Sequence, residues 1–231
     1  MSVDPDETAD ASELADARLH AALCRLDEAA LAEAFSRHRD RLRRGLVFRI
    51  DPRLAGRMDV DDLLQEAYLQ AARRLPHFAR QNEGQNHLGV FLWLRLIVNQ
   101  TLVDAQRRHL GAQARDATRE VALHPAAADS SASTPLIQGL VANLTSPSQA
   151  AVRSELTQQL QQALEAMSPL DQEIIALRHF EQLSNKEIAQ VLGIEEKAAS
   201  TRHVRAIRRL KEILAQIPGF ADLQTLFGTP K

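Results

Sequence analysis

The sequence predicts an all-α chain of two small helical domains joined by a flexible linker, with a helix-turn-helix in the C-terminal domain. Three observations carry this. Apolar residues recur with the helical period through most of the chain, and no segment shows period-two alternation or an internal repeat. Between Gly111 and Pro147 the pattern dissolves into Ala, Ser, Pro and Thr, including the run from Asp129 to Pro135, which is the composition of a linker. From Leu183 to Leu214 two short amphipathic runs meet at one glycine.

The first elements follow from the helical period. Residues 1–16 hold six acids and no Lys or Arg, and they read as a loose acidic extension, with Leu19, Leu23 and Leu26 forming a short helix that leads into the folded part. From Ala29 onward Leu31, Ala34, Phe35, Leu42 and Leu46 share one side of a helix crowded with arginine elsewhere. Ile50-Asp51-Pro52 stops it, because proline disfavours helical backbone at the residue before it. A second helix is predicted from Asp59, as N-cap, to about Leu75, just before Pro76, with Leu64, Ala67, Tyr68, Ala71 and Leu75 buried. Phe78 to Leu88 reads as a polar loop. The next helix, about Gly89 to Arg108, is apolar around most of its circumference and leaves a narrow polar stripe of Arg95, Asn99 and Gln106, the open edge of a central helix.

Beyond the linker, helix resumes near Ser148 and runs to about Met167. Ser168-Pro169 caps another, Leu170 to Phe180. Ser184 with Glu187 three residues on has the capping-box pattern, so a helix starts at Asn185, carries Ile188, Ala189, Val191 and Leu192 inward, and ends at Gly193. The last helix begins at Glu195 or Glu196. Ala199, His203, Ala206 and Leu210 form its inner stripe, and Lys197, Thr201, Val204, Arg205 and Arg208 its outer side. Lys197 to Lys211 contains six Lys or Arg and no acid. A solvated helix ordinarily mixes signs to gain i,i+4 pairs, so this bias points to phosphate attraction and to a helix that enters a DNA major groove. After Leu214, Pro218 and Gly219 break the helix, and the tail carrying Phe220, Leu223, Leu226 and Phe227 is a candidate to dock back on the second domain.

Composition narrows the function classes. The 231 residues are 45% apolar, enough for real cores, and the net charge of −2 sums unlike parts, since Arg37 to Arg57 holds eight Arg against two Asp. A single cysteine, Cys24, allows no intrachain disulfide and no cysteine-based zinc site, as suits a reducing cytosol. The longest apolar window, Val90 to Val98, is interrupted by Arg95 and too short for a bilayer, and the acidic N-terminus lacks the charge of a secretory signal, so a soluble cytoplasmic protein is expected. Chemistry-bearing patterns are missing. The eight histidines include no HExxH pair, Gly84 and Gly89 are followed by Val90-Phe91 where a phosphate loop needs Lys and Ser/Thr, and there is no GxSxG elbow. No metal, cofactor or enzymatic activity is expected. Asp104 falls on the wheel among Trp93 and Ile97, and an i,i+4 ion pair with Arg108 is preferred to a catalytic role.

Four stretches, taken in order, resemble a bacterial RNA polymerase sigma factor of the extracytoplasmic-function type, the compact kind with regions 2 and 4 only. They are LAEAFSRHRDRL from Leu31, DVDDLLQEAYLQAA from Asp59, WLRLIVNQTLVDAQRR from Trp93 and LDQEIIALRHFEQLSNKEIAQVLGI from Leu170. The resemblance implies a region 2-like domain at 29–110 and a region 4-like domain at 148–216; the acidic extension at 1–28 is additional to the family pattern, the linker at 111–147 is long for it, and a tail follows at 217–231. It also implies core RNA polymerase, through its clamp coiled coil and flap, and promoter DNA as partners, with an anti-sigma factor as a further candidate. Asp62, Gln65 and Glu66 align with the family's clamp-binding helix, and they form one polar patch suited to arginines on a partner.

Arg95, Asn99, Gln106, Arg107 and Arg108 align with the part that meets the melted minus-ten strand, with Arg80 to His87 as the loop that holds a flipped base. Ser200, Thr201, Val204 and Arg205 align with readers of the minus-thirty-five element, and Lys197, Arg202, Arg208 and Arg209 with phosphate contacts. The chain departs from the family in having Glu195-Glu196 where many members have a proline and a Gly-Thr-Val segment. Acids there suit the helix dipole but repel phosphate. The alternative is a stand-alone helix-turn-helix regulator, which binds duplex without polymerase, usually at an inverted repeat.

Overall fold

The computed structural model describes residues 5–51, 54, 56–82, 89–117, 136–137, 140–141, 157–162, 164 and 166–215. The chain divides into two compact units, Met1–Val121 and Ala122–Lys231. Among the described residues every regular element is helical, and no helix is long and apolar enough to cross a membrane.

The first unit is built from α1 (Pro5–Cys24), α2 (Glu28–Arg49), α3 (Val60–Gln81) and α4 (Val90–Ala117). The segment expected to be a loose extension is largely the helix α1. It packs against α2, α3 and α4, with Leu19, Ala22 and Leu23 buried. Asp16 ties it to α2 by accepting from Arg37 Nε at 3.1 Å and lying 3.5 Å from His38 Nε2. Composition could not show this, because the six acids of residues 1–16 obscure the helical period there. Leu26 does not continue that stripe. It stands half-exposed in the turn after α1 with φ of 63°. The amide of Asp27 donates to Ala22 O and that of Leu26 to Leu23 O, the paired bonds of a Schellman motif with leucine where glycine is usual.

Asp27 then caps α2, accepting from the amides of Ala29 and Ala30 at 2.9 and 3.1 Å. The expected stripe of Leu31, Ala34, Phe35, Leu42 and Leu46 is buried, and the helix ends at Arg49, just before the Ile50-Asp51-Pro52 stop.

Helix α3 begins at its Asp59 cap but does not stop at Pro76. Proline inside a helix removes one backbone bond and crowds the carbonyl four residues back, a cost of about 3 kcal/mol. The extra turn and a half buries Phe78 and Ala79, sets Phe78 4.4 Å from the Trp93 ring and 5.4 Å from that of His20, and lets Asn82 Nδ2 donate to Phe78 O. Burial of one phenylalanine contributes ~1.5–3 kcal/mol, so packing offsets the local penalty. Residues 78–81, expected in a loop, are therefore helix, while 83–88 lie outside the described residues. Helix α4 is buried at Val90 to Leu94, Ile97, Val98, Leu102 and Ala105, and it continues past the expected end at Arg108 to Ala117, inside the expected linker.

In the second unit α5 (Pro169–Ile175) leads directly into a π-helical turn (Ala176–Phe180), and α6 (Asn185–Leu192) and α7 (Glu196–Leu214) follow. Ser168 caps α5 by accepting from Asp171 N at 3.1 Å. The buried amide of Gln172 donates to Leu164 O and Met167 O at 2.9 and 3.2 Å, satisfying carbonyls at the end of the preceding helical segment. The core joins Leu160, Leu164, Met167 and Ile175 to Ala206, Leu210, Ile213 and Leu214, and it also takes in Leu136, Ile137, Leu140 and Val141. Those four lie inside the expected linker. Their i, i+1, i+4, i+5 spacing is a short amphipathic helical signal that the surrounding Ala, Ser and Pro obscured. The start of the helix expected from Ser148, up to residue 156, and the tail residues Phe220, Leu223, Leu226 and Phe227 lie outside the described residues.

Two substitutions check this packing. Leu140→Ala should destabilise the second unit by about 2–5 kcal/mol in denaturant unfolding, as for a core leucine, whereas a true linker position would change it by under ~0.5 kcal/mol. Leu26→Gly should raise the stability of the first unit by up to ~1 kcal/mol by relieving the left-handed backbone; a loss in thermal unfolding would show that the turn is not under strain.

Candidate nucleic-acid interface

The helix-turn-helix is set by local chemistry at both ends of α6. Glu187 N donates to Ser184 Oγ at 3.2 Å and Ser184 N donates to Glu187 Oε2 at 2.8 Å, closing the capping box. At the other end Gly193 adopts φ 64° and ψ 36°, and Ile194 N donates to Ala189 O at 3.0 Å. A side chain at Gly193 would be strained by that backbone, which turns the chain into α7.

On α7, Ala199, Ala206, Leu210, Ile213 and Leu214 are buried. Lys197, Thr201, Arg202, Val204, Arg205, Arg208 and Arg209 are exposed, Ser200 less so. Ser200 thus sits at the flank of the face to which the resemblance assigned it. An open groove of about 550 Å³ along this face is lined by Asp171, Glu195, Lys197, Ala198, Thr201, Arg202 and Arg205. Two of the expected phosphate contacts have protein partners: Arg202 Nη1 lies 3.6 Å from Asp171 Oδ1, and Arg209 Nη1 lies 3.5 Å from Glu212 Oε2. Glu195 is the N-cap position and makes no side-chain capping bond.

His203, on the inner side of α7, meets His179 of the π-helical turn with 2.9 Å between their Nε2 atoms. One ring donates and the other accepts, so the contact needs at least one neutral imidazole. Burial, then His203, then Arg178 lower the pKa of His179 from 6.5 to about 4. That of His203 is lowered by burial and by Arg178. Arg178 itself donates to Leu183 O at 2.8 Å, so the π-helical turn is tied both to the start of α6 and to the back of α7. Histidine pairing across 24 residues leaves no trace in sequence spacing.

In the first unit Asp62 and Gln65 are exposed on α3 and Glu66 is half-buried beside them. The expected polar stripe of α4 is not its open edge. Arg95, Asn99 and Gln106 are each half-buried, and Gln106 Nε2 donates to Arg49 O at 3.3 Å, at the end of α2. The open edge is instead Leu96, Gln100, Val103, Asp104 and Arg107, which with Asn99 and Arg74 of α3 line a groove of about 500 Å³. Arg74 donates to the Gln100 side chain. Leu96, Gln100, Val103 and Arg107 stand at i, i+4, i+7 and i+11, a helical row that mixed polarity concealed. Asp104 is exposed rather than set among Trp93 and Ile97. Arg108 does not pair with its carboxylate: Nε donates to the backbone O of Asp104 at 3.4 Å, while Nη2 donates to both Glu66 oxygens at 3.1 and 3.0 Å. Of the loop expected from Arg80 to His87, residues 80–81 are helix, Asn82 caps it, and 83–87 lie outside the described residues. Among the described residues no three His, Cys, Asp or Glu side chains are placed to hold a metal ion.

Residues 157–210 match the family described as sigma-70, region 4. The match spans the helical segment before α5, α5 itself, the π-helical turn, α6 and most of α7. None of the curated proteins matches the chain. Similar solved structures include CnrH in complex with the cytosolic domain of CnrY, at 22% identity and a TM-score of 0.45, covering 87% of this chain and 97% of that one. Another is the sigma factor RpoE in complex with the anti-sigma factor NepR from Bartonella quintana, at 21% identity and a TM-score of 0.36, covering 76% and 90%. Likeness of that degree assigns no residue a role.

The histidine pair gives the second unit a pH dependence with a defined sign. Because the folded pKa of His179 lies below the unfolded one, the unfolded chain binds more protons between them. Stability should therefore be fully present above pH 6.5 and fall as the pH drops toward about 4. His179→Gln should flatten the pH dependence of the unfolding free energy in that window; an unchanged slope would place the acid sensitivity elsewhere.

Proposed function

We propose that this chain is a sigma factor of the extracytoplasmic-function type, which binds core RNA polymerase and directs promoter-specific transcription initiation from the cytoplasm. The observation that carries the reading is the region 4 match at residues 157–210, on a helix-turn-helix whose outer face is basic. The motif order supports it, with a region 2-like unit preceding. In this reading the chain performs no catalysis and needs no metal or cofactor; it supplies recognition to an enzyme.

The division of labour follows from the exposed faces of the two units. Asp62, Gln65 and Glu66 meet the clamp coiled coil. Arg107 and the groove beside Leu96, Asn99 and Val103 take the melted minus-ten strand, with Arg108 on phosphate; Arg95 and Gln106 support that face from its flank. Thr201, Val204 and Arg205 read the minus-thirty-five element, Ser200 borders them, and Lys197 and Arg208 hold phosphate, joined by Arg202 and Arg209 when these leave their acidic neighbours. A bidentate base contact discriminates by about 1–3 kcal/mol, and of these readers only Arg205 has a side chain able to make one, so the helix is a weak specific reader. Holding two weak readers on one polymerase raises their effective concentration for each other, which accounts for dependence on the core enzyme. An anti-sigma factor is proposed as a further partner; CnrH and RpoE were each solved with a bound protein, CnrY and the anti-sigma factor NepR.

Gel filtration with core polymerase should give a stable complex that initiates transcription at selected promoters. Tight duplex binding at an inverted repeat without polymerase would instead establish the stand-alone regulator. Within the complex, Arg205→Ala should relax base preference at one upstream position, while Lys197→Ala should weaken all sequences alike and reduce the salt slope by about one contact. Equal effects from both substitutions, read by promoter-library selection at two salt concentrations, would show that the reading face of α7 is misassigned.

A further inference from the structure

Glu66 and Arg108 belong, in the sigma-factor reading, to different partners, the first to polymerase and the second to DNA phosphate, yet in the free chain they hold each other. One guanidinium nitrogen of Arg108 donates to both carboxylate oxygens of Glu66 at 3.1 and 3.0 Å. The same side chain is steadied from behind by its bond to Asp104 O. Both residues border one groove of about 450 Å³, between the start of α3 and the middle of α4, whose lining also includes Asp62, Leu63, Ala105 and His109. Neither side chain is locked in by burial, since Arg108 is 62% and Glu66 41% exposed. Both are open to a second partner. A phosphate approaching Arg108 meets a pair whose charges cancel, and a cation approaching Glu66 finds its oxygens already engaged by another cation.

We infer that Glu66 masks Arg108 in the free chain, and that the bridge couples the two binding events: polymerase docking draws Glu66 away and frees Arg108 for the DNA backbone. The inference rests on the sigma-factor reading. Charge decides the direction, because a basic clamp residue and Arg108 compete for one carboxylate while phosphate and Glu66 compete for one guanidinium. Coupling of this kind is reciprocal by thermodynamic necessity, so whatever removes one member favours the other's partner by the same factor. Exposed ion pairs set its size at no more than about fivefold in an equilibrium constant, ~1 kcal/mol. The bridge is therefore a bias and not a lock, and it acts only in the free chain, where it lowers affinity for stray nucleic acid before polymerase is engaged.

The test uses the full chain, core polymerase and a fluorescent single-stranded oligonucleotide carrying the preferred minus-ten sequence. Glu66→Gln should raise the affinity of the free chain for that strand by about two- to fivefold, the span an exposed ion pair allows, and the gain should disappear in the presence of Arg108→Gln. Arg108→Gln should in turn raise affinity for core polymerase by a similar factor, an effect that a merely structural bridge would not produce. Arg108→Lys keeps the charge but loses the Nε bond to Asp104 O that steadies the side chain, and it should fall between wild type and Arg108→Gln. Thermal unfolding of each variant separates these effects from misfolding. Unchanged or weakened strand binding by Glu66→Gln, or unchanged polymerase affinity for Arg108→Gln, would overturn the coupling. Failure of the wild-type chain to bind core polymerase at all would instead remove the sigma-factor reading beneath it.

Discussion

Burial of Ala199, Ala206, Leu210, Ile213 and Leu214 fixes the roll of α7 about its own axis, and the chain's use of that helix depends on it. Once those five positions face inward, helical geometry leaves Lys197, Thr201, Val204, Arg205 and Arg208 on the opposite side. The constraint acts over long sequence distances, since α7 shares its core with Leu136, Leu140, Leu160 and Leu164. The π-helical turn adds a polar register to the apolar one through the contact between His179 and His203. A helix presented to a groove has to hold its roll against the pull of phosphates, and two unlike contacts on its inner side resist rotation better than apolar packing alone.

The first unit meets a different demand, which is to keep a charged surface usable. Arginines crowd α2, but several are engaged within the unit: Arg37 with Asp16, and Arg39 with Asp61, which also lies 3.9 Å from Arg43. Arg41 stacks over Phe91 with 3.7 Å from its guanidinium carbon to the ring centroid. These contacts use positive charge to hold helices together, so the count of arginines overstates what the unit offers to nucleic acid. Arg107, at the open edge of α4, is a better measure of that capacity than the eight arginines between 37 and 57.

Local preference and packing disagree at a few places, and the stronger of the two effects prevails. At Pro76 the local preference is for a stop, and the helix continues because Phe78 packs against His20 of α1 and Trp93 of α4. At Leu26 the preference against left-handed leucine yields to the turn that lets α1 fold back on α2. At Gly193 and Ser184 local preference and packing agree, and α6 begins and ends where its capping residues place it.

The sequence alone determined whatever depends on neighbours a few residues apart: the helical class, the starts at Asp59, Ser168 and Ser184, the turn at Gly193, the buried stripe of α2 and the basic outer face of α7. Capping bonds and amphipathic periods are short-range, so the residues that create them stand together in the chain. The tertiary structure decided what depends on distant partners. It placed α1 inside the first unit, Leu136, Ile137, Leu140 and Val141 inside the second core, Arg108 on Glu66 rather than on the Asp104 carboxylate, and the open edge of α4 along Leu96, Gln100, Val103 and Arg107. Each of these is a choice among residues that sequence spacing left equally eligible, and the choice was made by which surfaces the other helices covered.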